Sequence, residues 1–180
     1  MRCLLLALSV ALVCGTQDIF VPQTGEDLDV QKVAGTWYSM AMAASDLALL
    51  STQNAPLRMY VKELRPTPQG DLEIMVHRWE DGSCVQGKIF GEKTGVPAEF
   101  KINSLGDSKA HVLDTDYETY AFLCLENAAP AKQSLACQYL ARTPKVDQVA
   151  MEQFGRAMRL LPIHIQMVFT PAQAEERCRV

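Results

Sequence analysis

Sulfur chemistry is the first chemistry that this sequence allows, because four of its six cysteines lie beyond residue 18. Cys124 and Cys137 are 13 residues apart, with Pro130 near the midpoint. Two strands that turn back at this proline would place the sulfurs opposite each other, which predicts a disulfide across a hairpin. Four cysteines allow three connectivities, so this assignment leaves Cys84 and Cys178 as the second bridge. Each bridge is expected to contribute about 2 to 4 kcal/mol and indicates an oxidising compartment.

The histidines do not complete a reactive site with these cysteines. His77, His111 and His164 fall on three separate predicted strands, and the cysteines are assigned to bridges. Neither a Cys/His nucleophile nor a zinc quartet can therefore be assembled from the spacing. The sequence also contains no Gly-x-Ser-x-Gly elbow and no glycine-rich phosphate loop. We predict no enzyme activity, no cofactor and no bound metal.

The amino-terminal segment has the pattern of a secretory signal. Arg2 precedes an apolar run from Leu4 to Val13, which is followed by the small residues Gly15 and Thr16. A membrane-spanning helix needs about 20 apolar residues, so this run predicts export and not membrane insertion. We expect residues 1–18 to be a signal peptide and residues 19–180 to form one secreted, extracellular domain.

The charge balance excludes one class of partner. The chain has 17 basic and 21 acidic residues, which gives a net charge of -4. The basic residues form no cluster, so the sequence has no footprint for a nucleic acid or for an anionic membrane surface.

Alternation of apolar and polar residues dominates the middle of the chain. Leu72, Ile74 and Val76, for example, alternate with Asp71, Glu73, Met75 and His77, which is typical of a strand with one apolar face. Proline, glycine and aspartate separate such segments at hairpin length. The predicted strands cover residues 35–43, 57–62, 71–77, 88–93, 100–104, 109–113, 119–126 and 133–142.

These segments predict an all-β fold, an eight-stranded antiparallel up-and-down barrel. Closure of eight strands removes both sheet edges and leaves room for one small ligand or for a set of packed side chains. One later segment has helical spacing: Val146, Val149, Phe154, Ala157 and Leu161, with Asp147 as the cap and Pro162 as the stop. This C-terminal α-helix is expected to pack outside the barrel, and residues 163–169 to form a ninth strand.

The same alternation predicts which side chains point into the barrel. An ordinary packed core is the alternative interpretation of this face. The inward set is Leu57, Met59, Val61, Leu64, Leu72, Ile74, Val76, Ile89, Phe100, Ile102, Ala110, Leu123 and Leu125.

Three motifs at suitable spacing resemble the signature elements of the lipocalins. They are residues 32–38 around Gly35 and Trp37, the run Thr115, Asp116, Tyr117, and Arg142. The resemblance implies that Gly35 lets the first strand bend and that Trp37 plugs the closed end of the barrel. It also implies that the Arg142 guanidinium lies over the indole and donates to nearby carbonyls.

Further segments, including 37–45, 113–117 and 133–138, resemble the whey members of this family. The resemblance implies the same two disulfides, and a calyx that binds small hydrophobic ligands such as fatty acids and retinol. Burial of about 300 Å² of apolar ligand surface at about 25 cal/mol per Å² contributes roughly 7 kcal/mol before association costs, so we expect micromolar or weaker binding.

A signalling or immunomodulatory lipocalin that acts through its outer surface is the alternative function. The members of the family with such activities carry N-linked glycans. Asn54, Asn103 and Asn127 are followed two residues later by Pro56, Leu105 and Ala129, so none forms an acceptor sequon. The sequence therefore favours the carrier.

The resemblance also assigns residues to the mouth of the calyx. Arg78 continues the inward face towards the open end, where it could meet a ligand carboxylate, and Lys88 is a weaker candidate. Gly87 stands where relatives often have a second lysine. The loop with Leu105, Asp107 and Ser108 corresponds to a lid whose buried acid has a raised pKa in relatives, so Asp107 is the predicted gate.

Two positions depart from the family pattern. Tyr139 occupies the place of a free cysteine and must fit between barrel and helix with its hydroxyl partnered. Relatives dimerise through the last strand and through a loop in which an acidic residue faces an arginine across the two-fold axis. Arg58 is present here, but Ser51 replaces the acid, which predicts a monomer or a weak homodimer.

Overall fold

The computed structural model describes residues 27–127, 133–171 and 178. The predicted signal peptide, residues 1–18, and Pro130 lie outside these residues. Within them, the strands follow in the order β1 (Gly35–Thr36), β2 (Tyr38–Ala44), β3 (Met59–Pro66), β4 (Leu72–Glu80), β5 (Ser83–Lys93), β6 (Glu99–Ile102), β7 (Ser108–Thr115), β8 (Tyr120–Asn127), β9 (Ser134–Ala141) and β10 (Met167–Phe169). Short 3-10 helices cover Leu47–Leu49 and Asn103–Leu105, and α1 is Gln148–Leu160.

The strands form one antiparallel sheet in the order β1-β3-β4-β5-β6-β7-β8-β9-β2-β10. Strands β1 and β2 are two halves of one bent strand, because only Trp37 separates them. The first half pairs with β3 and the second with β9, so this strand closes the sheet into a barrel. Eight barrel strands with β10 outside them confirm the predicted fold class.

A tight hairpin joins β4 and β5, and the sequence analysis missed it. Asp81 and Gly82 have φ values of 48° and 80° and connect the pair Glu80 and Ser83. Two central residues with positive φ match the type I′ turn that Asp-Gly favours. Strand β5 therefore begins at Ser83, whereas the predicted strand began at Lys88.

The two disulfides have the predicted pairing. Cys124 and Cys137 lie opposite each other in the ladder of β8 and β9, and their sulfurs are 1.99 Å apart. Cys84, near the start of β5, is bonded to Cys178 across a sequence separation of 94 residues. The second bridge fixes the end of the chain to the barrel.

Helix α1 packs on the outside of β8, β9 and β2. Asp147 is its N-cap, as predicted, and the carboxylate accepts from the backbone N–H of Ala150 at 2.8 Å. Ala150, Phe154 and Met158 form the buried face. Val149, which was predicted for this face, is 62% exposed, because the packed stripe follows steps of four residues.

The predicted ninth strand is shorter than expected. Only Met167–Phe169 pairs with β2, although the amide of Gln166 still donates to the carbonyl of Ala44 at 2.8 Å. Ile163 and Ile165 pack in the same cluster as the helix. Both side chains are partly buried there, and the ladder with β2 begins after them, at Met167.

Tyr139 fits between the barrel and the helix. It is 1% exposed, and its ring meets Phe122 edge-on with ring centres 5.9 Å apart. Burial raises the pKa of Tyr139, against a lowering hydrogen bond from the backbone of Asp147. The ring of Tyr139 is therefore accommodated between barrel and helix, as this position requires.

Alkaline pH should destabilise the fold through its tyrosines. Burial, together with a hydrogen bond to Asp114, raises the pKa of Tyr120 from 10.0 to about 12. The native state holds this proton more tightly than the unfolded chain, so the contribution is complete below pH 10 and is lost as pH rises to 12. Urea unfolding across this range should show the decline. The slope should be smaller in Tyr120→Phe, and an unchanged slope would contradict this assignment.

Candidate ligand-binding site

The closed end of the barrel is built around Trp37. Its side chain is fully buried, and Nε1 donates to the carbonyl of Val33 at 2.8 Å. The Arg142 guanidinium lies over the indole ring, 3.8 Å from its centre. Among the described residues, this apolar plug closes one end of the barrel.

Arg142 ties the segments around this plug together. Its guanidinium donates to the carbonyl of Tyr117 at 3.1 Å, and also to those of Lys32, Ala34 and Thr36. A Cβ at Gly35, which has a φ of 104°, would lie 3.3 Å from Arg142 Nη1. Glycine there permits both the bend and the close approach of the arginine.

The motif of Thr115, Asp116 and Tyr117 forms the turn between β7 and β8. Asp116 accepts hydrogen bonds from the backbone of Glu118, Thr119 and Tyr120. Burial raises the pKa of the Asp116 carboxyl, but its hydrogen bonds outweigh this and hold the pKa below the ordinary value. The motif thus shapes a turn at the closed end, where Tyr117 packs against the apolar cluster inside the barrel.

The predicted inward residues lie in one apolar cluster inside the barrel. Twelve of the thirteen are buried in it, and Leu57 is partly buried against it. The buried twelve are Met59, Val61, Leu64, Leu72, Ile74, Val76, Ile89, Phe100, Ile102, Ala110, Leu123 and Leu125. Sequence analysis missed Val33, Ala98, Val112, Ala121 and Leu140, which join the same cluster.

Glycines on the inner face of β5 let large neighbours enter the interior. A Cβ at Gly91 would come within 2.8 Å of Phe100 Cβ, and one at Gly87 within 3.3 Å of Val76 Cγ2. Gly87 therefore does more than replace a lysine at the mouth. It makes room for the packing of the barrel wall.

The cavity that the described residues enclose inside the barrel is small. Its free volume is about 10 Å³, which is room for about one water molecule. The lining residues are Leu50, Leu57, Met59, Val61, Ile74, Val76, Ile89, Leu123, Leu125, Ala136, Cys137 and Gln138. The side chains that line this cavity leave no room for a hydrocarbon ligand, so they have to move to admit one.

Gln138 is a polar member of this wall that sequence analysis missed. It is 7% exposed and follows Cys137 on β9. The inward set stopped at β8, although the same alternation along β9 places Ala136, Gln138 and Leu140 on one face. A lone amide in that apolar row was the available signal.

The cations at the mouth are already paired with acids. Arg78 is about half exposed, and its guanidinium lies 2.7 Å from the Glu80 carboxylate on the same strand. Lys88 Nζ lies 2.8 Å from Glu73 Oε1. Neither side chain lines the small cavity.

The three histidines stay apart. His77 lies on β4 and His111 on β7, as predicted, whereas the prediction that His164 lies on a strand was wrong, because β10 begins only at Met167. His111 Nε2 is 2.8 Å from Glu126 Oε2, and both side chains are buried. Among the described residues, no three or more His, Cys, Asp or Glu side chains are arranged to hold a metal.

A second cavity lies outside the barrel, between α1 and the segment that leads to β10. Its volume is about 480 Å³. The lining is mostly apolar: Met151, Phe154, Gly155, Met158, Arg159, Leu161, Ile163, His164, Ile165 and Val168. It provides a competing place for an apolar molecule, which any binding experiment has to separate from the interior.

Family comparison agrees with this architecture. Residues 34–175 match the model of the lipocalin / cytosolic fatty-acid binding protein family. The chain is a lipocalin. It is 54% identical to beta-lactoglobulin-2 of Canis lupus familiaris over 162 residues, which are 90% of this chain and all of that protein. It is 50% identical to glycodelin of Homo sapiens over 179 residues, 99% of each chain.

A solved lipocalin structure shares the fold. Trichosurin, a possum milk whey lipocalin crystallised with bound 4-ethylphenol, superposes with a TM-score of 0.69 at 18% identity. The match covers 79% of this chain and 98% of that one. At 18% identity this likeness shows a shared fold and nothing about the ligand of this chain.

The predicted lid is open to solvent in this lipocalin. Leu105 is 41% exposed and Asp107 is exposed, while Ser108 is buried and its hydroxyl donates to the Leu105 carbonyl at 2.7 Å. Gly106, with a φ of 74°, sets the bend. The gate hypothesis expects the Asp107 carboxylate to be buried when the lid is closed, and here the residue is exposed. The gating role of Asp107 stays a prediction.

Proposed function

We propose that this lipocalin is a secreted carrier, and not an enzyme, that binds a small hydrophobic molecule such as retinol or a fatty acid inside the barrel. The apolar cluster on the inner face supports this proposal, because its side chains offer an apolar molecule a continuous apolar wall. The likeness to beta-lactoglobulins suggests a whey protein. The disulfides support an extracellular location.

Binding inside this barrel requires rearrangement. The free volume is about 10 Å³, so a ligand must displace side chains at the open end. Met59 suits this role, because methionine is unbranched and adapts its shape at low cost. Part of the hydrophobic gain is used in that movement, so we expect affinities in the micromolar range or weaker.

The surface-acting alternative has one observation in its favour, the 50% identity to human glycodelin. The three asparagines without sequons argue against a glycan-dependent version of it. An intact mass of the secreted protein would separate the two, since an unmodified mass excludes N-linked glycans and an added glycan mass contradicts our preference.

The geometry around Arg58 supports a monomer or a weak homodimer. Its side chain is 8% exposed, and Nη1 donates to the Leu50 carbonyl at 3.1 Å in the same chain. An arginine held in this way is poorly placed to meet a partner. Within the described ranges, no helix is long and apolar enough to cross a membrane.

Enlarging the interior should strengthen binding. Leu123→Ala removes a buried side chain from the cavity wall, and we expect roughly tenfold tighter retinol binding because a ligand can occupy the vacated space. The same change should cost about 2 to 5 kcal/mol of stability in the free protein. Retinol fluorescence titration measures the first effect and urea unfolding the second.

Val168→Ala is the matched control for this experiment. Val168 is 60% exposed and lines the outer cavity, so its truncation should leave retinol affinity unchanged. If retinol binds more weakly to Val168→Ala and its affinity for Leu123→Ala is unchanged, the ligand lies outside the barrel. That result would overturn the proposed interior site.

A further inference from the structure

Side chains, and not a strand ladder, close the seam between β2 and β3. Strand β1 pairs with β3 at Gly35 and Thr36, and the backbone N–H of Trp37 donates to the Lys62 carbonyl at 3.0 Å. Beyond Trp37 the bent strand turns to β9. The backbone N–H of Val61 instead donates to Ser39 Oγ at 2.9 Å. Gln138, reaching from β9, donates from Nε2 to the Met59 carbonyl at 2.8 Å.

The Gln138 amide has hydrogen-bonding capacity left after it closes this seam. The Ser39 hydroxyl donates to Gln138 Oε1 at 2.6 Å, so oxygen and nitrogen each have one partner. A glutamine amide offers two N–H donors and two lone pairs. Among the described residues, nothing else bonds it, and one donor and one acceptor remain on a side chain that is 93% buried.

This amide stands alone in the wall of the cavity. Among the described residues that line it, Gln138 is the only one with a hydrogen-bonding side chain, since Cys137 is in a disulfide and the others are apolar. A ligand that moves the apolar side chains aside would meet a donor and an acceptor at one point. That arrangement fixes the orientation of a ligand by a single polar group.

We infer that Gln138 anchors the oxygen of a neutral, hydroxyl-bearing apolar ligand inside the barrel, an alcohol or a phenol; the inference rests on the proposed function. A hydroxyl both donates and accepts, so it matches the two free valences of the amide. The described cavity wall contains no cation, and an ionised carboxylate taken into it would lose its hydration without compensation. The end of the ligand that lies beside Gln138 is therefore a neutral hydroxyl and not an ionised carboxylate.

A cycle with two matched ligands and one matched variant tests this inference. The ligands are 2-naphthol and 2-methylnaphthalene, which differ by a hydroxyl in place of a methyl group. The variant is Gln138→Met, which keeps the length of the side chain and removes the amide. Equilibrium dialysis gives the affinity ratio of the two ligands in each protein, and the change in that ratio isolates the contact.

We expect the ratio to shift by about tenfold against 2-naphthol in Gln138→Met, the size of one buried hydrogen bond. Val168→Ala is the control, because it changes the outer cavity and leaves the barrel wall and the amide untouched, and its ratio should match that of the unaltered chain. An equal ratio in Gln138→Met and in the unaltered chain overturns the anchor. If the unaltered chain binds neither ligand, the carrier proposal fails as well.

A measurement on the unaltered protein covers the case in which Gln138→Met does not fold. The side-chain amide signals of Gln138 in a 15N-labelled sample should shift strongly with 2-naphthol and weakly with 2-methylnaphthalene. Equal shifts with the two ligands, while both bind, would overturn the anchor and leave the carrier proposal standing.

Discussion

Trp37→Ala should lower the free energy of unfolding by about 3 to 5 kcal/mol, which is typical of truncating a fully buried aromatic side chain. The indole contributes more than area. Its Nε1 bonds the Val33 carbonyl, and its face carries the Arg142 guanidinium. Without the ring, Arg142 loses its platform, and its carbonyl partners lose their fixed geometry. Urea unfolding followed by far-UV circular dichroism measures the loss without relying on tryptophan fluorescence.

Two variants control for the special position of this residue. Trp37→Phe keeps an aromatic face under Arg142 and removes the indole N–H, so it should lose about 1 to 3 kcal/mol. Trp79→Ala truncates the other tryptophan, which is only partly buried, and should cost less than Trp37→Ala. Equal losses at the two tryptophans would show that Trp37 does not hold the closed end.

Phe154→Ala should cost a similar amount, about 3 to 5 kcal/mol, by loosening the helix from the barrel. Phe154 is 1% exposed, and its ring centre lies 5.3 Å from that of Phe122 and 6.3 Å from that of Tyr139. These contacts are the aromatic link between α1 and the outer barrel wall. Urea unfolding gives the loss, and hydrogen exchange of the α1 amides should report faster opening of the helix.

Val149→Ala is the matched control on the same helix. Val149 is 62% exposed, so its truncation should change stability by less than about 0.5 kcal/mol, and alanine is the better helix former. Comparable losses at positions 149 and 154 would mean that the helix packs through a different face. Accelerated exchange in both variants would lead to the same conclusion.

The helix shows how far sequence spacing reaches. Asp147 was predicted as the cap because a short acidic side chain just before a helix can accept a hydrogen bond from a free backbone N–H of the first turn, and the structure places it there. The buried face was predicted less well. Val149 and Phe154 both fit an apolar stripe with steps of three to five residues, and only contact with Phe122 and Tyr139 selects Phe154.

The β5 strand shows a second limit. Its inner face carries Gly87 and Gly91 beside Ile89, so the apolar alternation that identified the other strands is interrupted. The ladder with β4 nevertheless continues to Ser83. Neighbouring residues supply the missing volume, since Val76 and Phe100 approach the two glycines from adjacent strands. A pattern along one strand cannot show what the next strand contributes.

The sequence by itself determined the barrel, the outer helix, the disulfide pairing and most residues of the inner wall. The strands, the helix and the bridge between Cys124 and Cys137 follow from local rules, such as period-two alternation, turn residues and cysteine spacing, and the second bridge follows by elimination. Only the tertiary structure decided whether the inner wall encloses an open calyx or a nearly filled one. It also decided that Arg78 pairs with Glu80 and that Gln138 bridges the seam. Free volume and side-chain partners depend on how distant strands approach one another, and no single segment encodes that distance.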